Sequence, residues 1–169
     1  MAQAGSAFAS GMSLRVLLAC AVLAVSQVGC TTHYIPNTEV EDTEDNRRII
    51  DFCEQYRHAV EARNVGLLLK LADPRYYEDG GNADSSDDMD YDGLRDYLEG
   101  QFRETRAIRY EIHYRRVLPG NHKSLFVDYT YTASYKIPSP TGDLWRRRVA
   151  DNRLEIVPVG DSFKILAGM

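Results

Sequence analysis

Hydrophobic and polar positions change their period three times along this chain. The first apolar stretch has no period: Val16 to Val25 runs unbroken after Arg15, and Ser26-Gln27-Val28-Gly29 closes it before Cys30. A basic start, a short apolar run and a small residue at the break make a secretory leader over 1–29, too short to span a bilayer. Residues 1–11 carry no Lys or Arg, so Met12 is read as the true start. Residues 31–42 are polar around Pro36 and predict a tether, with Cys30, across 30–42.

From Thr43 the period is helical. Thr43 can cap, Glu44 and Asp45 suit a first turn, and Ile49, Phe52, Cys53, Tyr56, Ala59 and Val60 share one face. Cys53 on that face reads as a small buried residue rather than a nucleophile. Asn64 caps a second helix over 65–72, which Asp73-Pro74 ends. Tyr76-Tyr77-Glu78 suggests a short strand. Asp79 to Asp90 is a loop rich in Asp, Gly and Ser. Asp92 is expected to cap a third helix with Leu94, Tyr97, Leu98 and Phe102 on its apolar face.

After Thr105 the period becomes two. Ile108, Tyr110, Ile112 and Tyr114 alternate with Arg109, Glu111, His113 and Arg115. Pro119-Gly120-Asn121 turns the chain into a second strand, Leu125 to Ile137. A third follows over 144–157 with Leu154 and Ile156 inward, and a last over 163–166. Three helices followed by a four-stranded antiparallel meander predict one α+β domain over 43–169.

Charge and cysteine count narrow the function classes. All 25 acidic residues and 19 of the 20 Lys and Arg lie after Cys30, so that part carries a net charge of −6. A domain this acidic, with no basic tract, is excluded as a nucleic-acid binder. Past Cys30 only Cys53 remains, so no internal disulfide can form and the core must hold the fold. Eleven Tyr and one Trp suit half-buried strands and pocket walls.

Gly29-Cys30 at the end of the leader resembles the lipobox of bacterial lipoproteins, with Gln27 where that family has Leu. Leu17-Leu18-Ala19-Cys20 fits the motif better locally but leaves too short an apolar run after Arg15. The resemblance implies cleavage before Cys30, acylation of its thiol and anchoring to the membrane. Thr31, in place of an Asp, resembles lipoproteins sent to the outer membrane, where the domain would face the periplasm.

The element order and several phrases resemble the nuclear transport factor two-like superfamily, with its SnoaL-like and ketosteroid-isomerase-like members. The phrases are Tyr56-Arg-His-Ala-Val-Glu-Ala-Arg-Asn64, Leu67-Leu-Leu-Lys-Leu-Ala-Asp73, Tyr76-Tyr77-Glu78-Asp79 and Asn152-Arg-Leu-Glu-Ile156 through Phe163-Lys-Ile-Leu166. The resemblance covers residues 45–169. It implies a cone of curved sheet wrapped by helices, and a homodimer made by the sheet face. Members bind small hydrophobic ligands, catalyse reactions on them, or bind proteins, so fold does not assign function.

Two readings follow. As a binding module, the chain would line its pocket with Tyr56, Tyr77, Tyr110, Tyr129, Tyr131 and Trp145, and no cofactor is expected. As a ketosteroid-isomerase-like enzyme, the resemblance implies Tyr56 and Asn152 as donors to an oxyanion and Asp79 as the base that moves a carbon-bound proton. The non-enzymatic reading is preferred. A looser alternative is surface calcium binding through Asp84, Asp87, Asp88 and Asp90. The string from Asp88 to Glu99 matches an EF-hand loop in its acids and its Gly93, but its last residues fall in the expected third helix. Arg146-Arg147-Arg148 is a basic cluster that alternates across its strand.

Overall fold

Helical and alternating segments fold into two packed layers. The computed structural model describes residues 32–79 and 88–169. The leader, Cys30, Asp84 and Asp87 lie outside the described residues. His33–Met169 forms one compact unit.

Helix α1 spans Glu44–Glu61. Thr43 is extended, and its hydroxyl accepts from the Asn46 amide at 3.1 Å. The face read from the period is the buried one: Ile49, Phe52, Cys53, Tyr56 and Ala59, joined by Ile50. Arg63 takes a left-handed conformation (φ 52°) just past the helix. The Arg63 and Asn64 amides there donate back to Val60 and Ala59, each at 2.9 Å, which closes the helix end. Asn64 then caps α2, Val65–Leu71, through the Leu67 amide at 2.9 Å.

Strands β1 (Tyr77–Glu78) and β2 (Met89–Asp90) form a small antiparallel pair across the acidic loop. This pairing shifts the next helix start. Helix α3 spans Tyr91–Glu104, and its cap is Asp90, not Asp92. Asp90 is held extended in β2, and its carboxylate accepts from the Gly93 amide at 2.9 Å.

The sheet is the expected meander. Its order is β3 (Ala107–Pro119), β4 (Leu125–Ile137), β5 (Leu144–Val159) and β6 (Ser162–Ala167), all antiparallel neighbours. One face turns Tyr110, Tyr114, Val127, Tyr129, Leu154, Ile156 and Ile165 into the core with Phe52, Leu68 and Leu94. A bulge at Arg115 shifts the register of β3 so that Arg116 comes opposite Asp128. Among the described residues, no helix is long and apolar enough to cross a membrane.

One expected boundary is corrected. The compact unit begins at His33, so residues 33–42 are not tether. Ile35 and Val40 flank a turn closed by a Tyr34–Glu41 bridge, and the Glu39 amide donates to the Tyr114 carbonyl at 2.9 Å. Val40 is only 2% exposed. The polar composition of the segment conceals two apolar side chains, and their burial docks the whole turn on β3.

Cys53 is fully buried, and burial pushes its thiol well above the usual range. A thiol that stays protonated is a packing group, as its place on the helix face implies.

Candidate functional site

A cavity of about 450 Å³ opens between α3 and the inner face of the sheet. Its walls are Leu98 and Phe102 from α3, Val60 from α1, Ile108 from β3, and Ala133, Tyr135 and Ile137 from β4. The 3.6-residue period of α3 and the two-residue period of β4 aim these side chains at one space. Tyr56, Tyr110 and Tyr131 also line it, and with Gln101 and Thr105 they add polar groups to the aliphatic and aromatic wall. Two charged residues complete the lining, Glu104 and Arg148, and both side chains belong to exposed residues.

The tyrosines form a contiguous stack. Tyr56 meets Tyr110 edge-on at 6.3 Å between ring centroids, and Tyr110 meets Tyr131 at 5.4 Å. Tyr129 lies beneath, 6.4 Å from Tyr131 and 1% exposed. Burial raises Tyr56 well above the usual tyrosine range, and the neighbouring Tyr129 and Tyr110 hydroxyls raise it further. Burial raises Tyr110 and Tyr129 as well. These hydroxyls therefore stay neutral and act as hydrogen-bonding groups, not as bases.

The structure brings together only part of the expected site. Of the six pocket candidates, Tyr56, Tyr110 and Tyr131 line the cavity. Tyr129 is buried below it. Tyr77 is 52% exposed on β1, where its hydroxyl donates to the Asp88 carboxylate. Trp145 is 47% exposed on the outer sheet face, under the Arg109 guanidinium at 5.0 Å. Both are corrections. Trp145 has the opposite strand parity to the inward Leu154 and Ile156, and β1 stands apart from the main sheet.

The three residues of the isomerase-like reading do not share this cavity. Tyr56 lines it, while Asp79 is exposed after β1 and does not. Asn152 lies opposite Tyr129 on the same sheet face but does not line the cavity. Its amide donates to the Tyr129 hydroxyl at 3.0 Å and to the Gly168 carbonyl at 3.1 Å. Its side-chain oxygen accepts from the Arg153 amide, so both ends of the group are engaged.

Of the four calcium candidates, only Asp88 and Asp90 are among the described residues. Among the described residues, no three His, Cys, Asp or Glu side chains gather to hold an ion. Asp88 accepts from Tyr77, and Asp90 is committed to the α3 cap.

The larger depression, about 610 Å³, lies on the outer sheet face and is charged. Arg116 and Arg153 pair with Asp128 at 2.7 and 2.5 Å, and Arg115 reaches Asp151 at 3.7 Å. Hydrogen bonds from Arg153 and then Arg116 hold the Asp128 carboxyl below the usual range. A depressed folded value means stability that is present above the unfolded carboxylate range and lost as pH falls through the folded one. Because both arginines are about half exposed, the net worth is about 1 kcal/mol. Asp128→Asn is therefore expected to lower the urea midpoint at pH 6 and to show a smaller deficit at pH 3. An equal deficit at both pH values would contradict the ion-pair account.

Comparison with known proteins yields a fold and nothing finer. No family model matches the chain, and no curated protein matches it by sequence. Among solved structures, a candidate scytalone dehydratase from Novosphingobium aromaticivorans is similar, with a TM-score of 0.61 at 13% identity. The match covers 73% of this chain and 80% of that one. A candidate dehydratase of the NTF2-like family from Streptomyces avermitilis matches with a TM-score of 0.56 at 10% identity, over 73% and 93% of the two chains. A candidate calcium/calmodulin-dependent protein kinase II association domain from Xanthomonas campestris matches with a TM-score of 0.58 at 15% identity, over 81% and 90%. The domain thus has the nuclear transport factor two-like α+β fold, three helices on a four-stranded antiparallel sheet. Its neighbours carry both enzyme and association names, so chemistry has to be argued from the site.

Lining residues that the sequence did not mark as site residues include Ala133, Ile137 and Arg148. Alternation marks their parity, but only the curl of β4 and β5 under α3 turns them towards one cavity.

Proposed function

We propose that this chain is a lipid-anchored envelope protein whose domain binds a small, largely apolar ligand between α3 and the sheet, without chemistry on it. The observation that carries the binding half is the cavity itself. Its volume and its apolar, aromatic wall suit a small ligand. Neutral tyrosine hydroxyls at Tyr56 and Tyr110 can orient a polar end of that ligand. Isomerase-like proton abstraction needs a base facing those hydroxyls, and Asp79, which the resemblance assigns to that role, is not on the wall. Among the described residues, the one carboxylate side chain in the lining is Glu104, exposed at the end of α3.

The test uses residues 32–169, which contain the compact unit His33–Met169, and the neutral fluorophore N-phenylnaphthylamine. Saturable binding that Ala133→Trp abolishes is expected, because the indole would fill the cavity from its β4 wall. Binding that survives Ala133→Trp in a folded variant, or no saturable binding, sinks the pocket reading.

The anchor half rests on the leader and Cys30. Grown with an alkyne analogue of palmitate, the parent is expected to carry label in the outer-membrane fraction, and Cys30→Ser to carry none. Label retained in Cys30→Ser would contradict the assignment. Self-association is expected through the uncovered outer face of β3–β5. Its readout is the molar mass in light scattering, where a monomer at tens of micromolar speaks against it.

A further inference from the structure

We infer that the ligand of the α3–sheet cavity is a monocarboxylic acid with an apolar body, and that Arg148 holds its carboxylate at the rim. This rests on the binding reading above and names the class of ligand.

Arginines of the sheet are, for the most part, already occupied. Arg106 pairs with Asp143, Arg115 with Asp151, and Arg116 and Arg153 with Asp128, while Arg109 lies over Trp145. Arg148 differs in two ways. It has no ion-pair partner among the described residues, and it is the one cationic residue in the lining of this cavity. Arg146 and Arg147 are also without an acid among the described residues, but neither lines the cavity.

The register explains why Arg148 reaches the cavity. On β4 its direct partner is Ala133, and the neighbouring pair on the same face is Tyr131 with Ala150. Two alanines beside it leave the long side chain room over the opening. Arg148 is exposed, while Tyr56 and Tyr110 of the same lining are buried.

The charge count selects the head group. One guanidinium presents a planar fork that matches one carboxylate. A phosphate carries more charge than one fork neutralises, and Glu104 in the same lining would repel that excess charge more strongly than the single charge of a carboxylate. A cationic head would meet Arg148 as a like charge. A neutral ligand would leave the exposed guanidinium to solvent and draw no binding energy from it.

The experiment measures affinities of residues 32–169 for decanoate, decanol and decyltrimethylammonium, three molecules with the same apolar body. Decanoate is expected to bind about tenfold more tightly than decanol, and the cation more weakly than either. Arg148→Gln should remove the preference for decanoate over decanol, and Arg148→Lys should restore part of it. Ala133→Trp should abolish binding of decanoate and decanol; Val60→Phe replaces it if the tryptophan variant does not keep the parent Tm. Equal affinity for decanoate and decanol, both blocked by the filled cavity, overturns the carboxylate inference and leaves the pocket standing. A decanoate preference that persists in Arg148→Gln overturns it likewise. Binding that the filled cavity does not block, or no binding at all, removes the pocket reading and this inference together.

Discussion

Gly168→Ala is expected to lower the unfolding free energy by about 3 kcal/mol, combining lost hydrogen bonds with backbone strain. Gly168 sits at φ +93°, where an L side chain is strained. A Cβ there would run into the Arg153 carbonyl oxygen and lie 2.9 Å from its carbon and 3.2 Å from the Leu154 Cα. These are backbone atoms of β5 and cannot swing aside. Relief requires the end of the chain to lift away, and several bonds go with it. The Gly168 amide donates to the Glu78 carboxylate at 2.6 Å, and its carbonyl accepts from Asn152. The Met169 amide donates to the Tyr76 hydroxyl at 3.2 Å. Tyr76 is 2% exposed, so its hydroxyl would lose a partner inside the core. Met169 also lines the cavity, so ligand affinity should fall with stability. Gly142→Ala is the control. Gly142 also has a positive φ, of 117°, but open space lies where its Cβ would go, so about 1 kcal/mol is expected. Urea unfolding of the two variants checks the contrast. A Gly168→Ala deficit no larger than that of Gly142→Ala would mean that the terminal residues peel away at little cost.

Tyr129 separates packing from hydrogen bonding. Tyr129→Ala removes a ring packed against Tyr114 and Tyr131, each 6.4 Å away, from a site only 1% exposed. About 4 kcal/mol is expected, by the transfer and cavity costs of truncating a buried aromatic side chain. Tyr129→Phe keeps the ring and deletes only the hydroxyl, which accepts from Asn152 and also hydrogen-bonds with the Tyr56 and Tyr110 hydroxyls. The Asn152 amide keeps the Gly168 carbonyl as a second acceptor, so about 1 kcal/mol is expected. The pair also bears on function. Tyr129 lies below the cavity wall, so Tyr129→Phe should leave binding of N-phenylnaphthylamine within about twofold of the parent. A tenfold loss would bring the Tyr129 hydroxyl into ligand contact. If Tyr129→Ala costs less than 2 kcal/mol, the site collapses around the missing ring and the stack is looser than its geometry implies.

What could be read along the chain was local. Thr43 and Asn64 cap the helices they precede, because a cap bonds an amide three residues on and needs no distant partner. The buried face of α1 follows from its period alone. Strand alternation marks Tyr110, Tyr129 and Leu154 as inward, and all three are core. The same parity places Trp145 on the outer face. Its exclusion from the pocket was therefore legible in the alternation, although aromatic character suggested otherwise.

What could not be read depended on partners remote in sequence. Asp90 displaces Asp92 as the α3 cap because β1, across the acidic loop, holds Asp90 extended. The 33–42 segment joins the domain because Val40 finds space beside Tyr114 and the core. The bulge at Arg115, which sets Arg116 against Asp128, has no local signature in a run of arginines. Above all, membership of the cavity was decided in three dimensions. By itself the sequence determined the helices, the meander and the α+β class, since those rest on periods and caps within a few residues. Only the tertiary structure decided that Tyr56 and Arg148 share a cavity that Asp79 and Trp145 do not reach. Periodicity assigns a side chain to a face, and the packing of α3 over the curved sheet decides which faces enclose a common space.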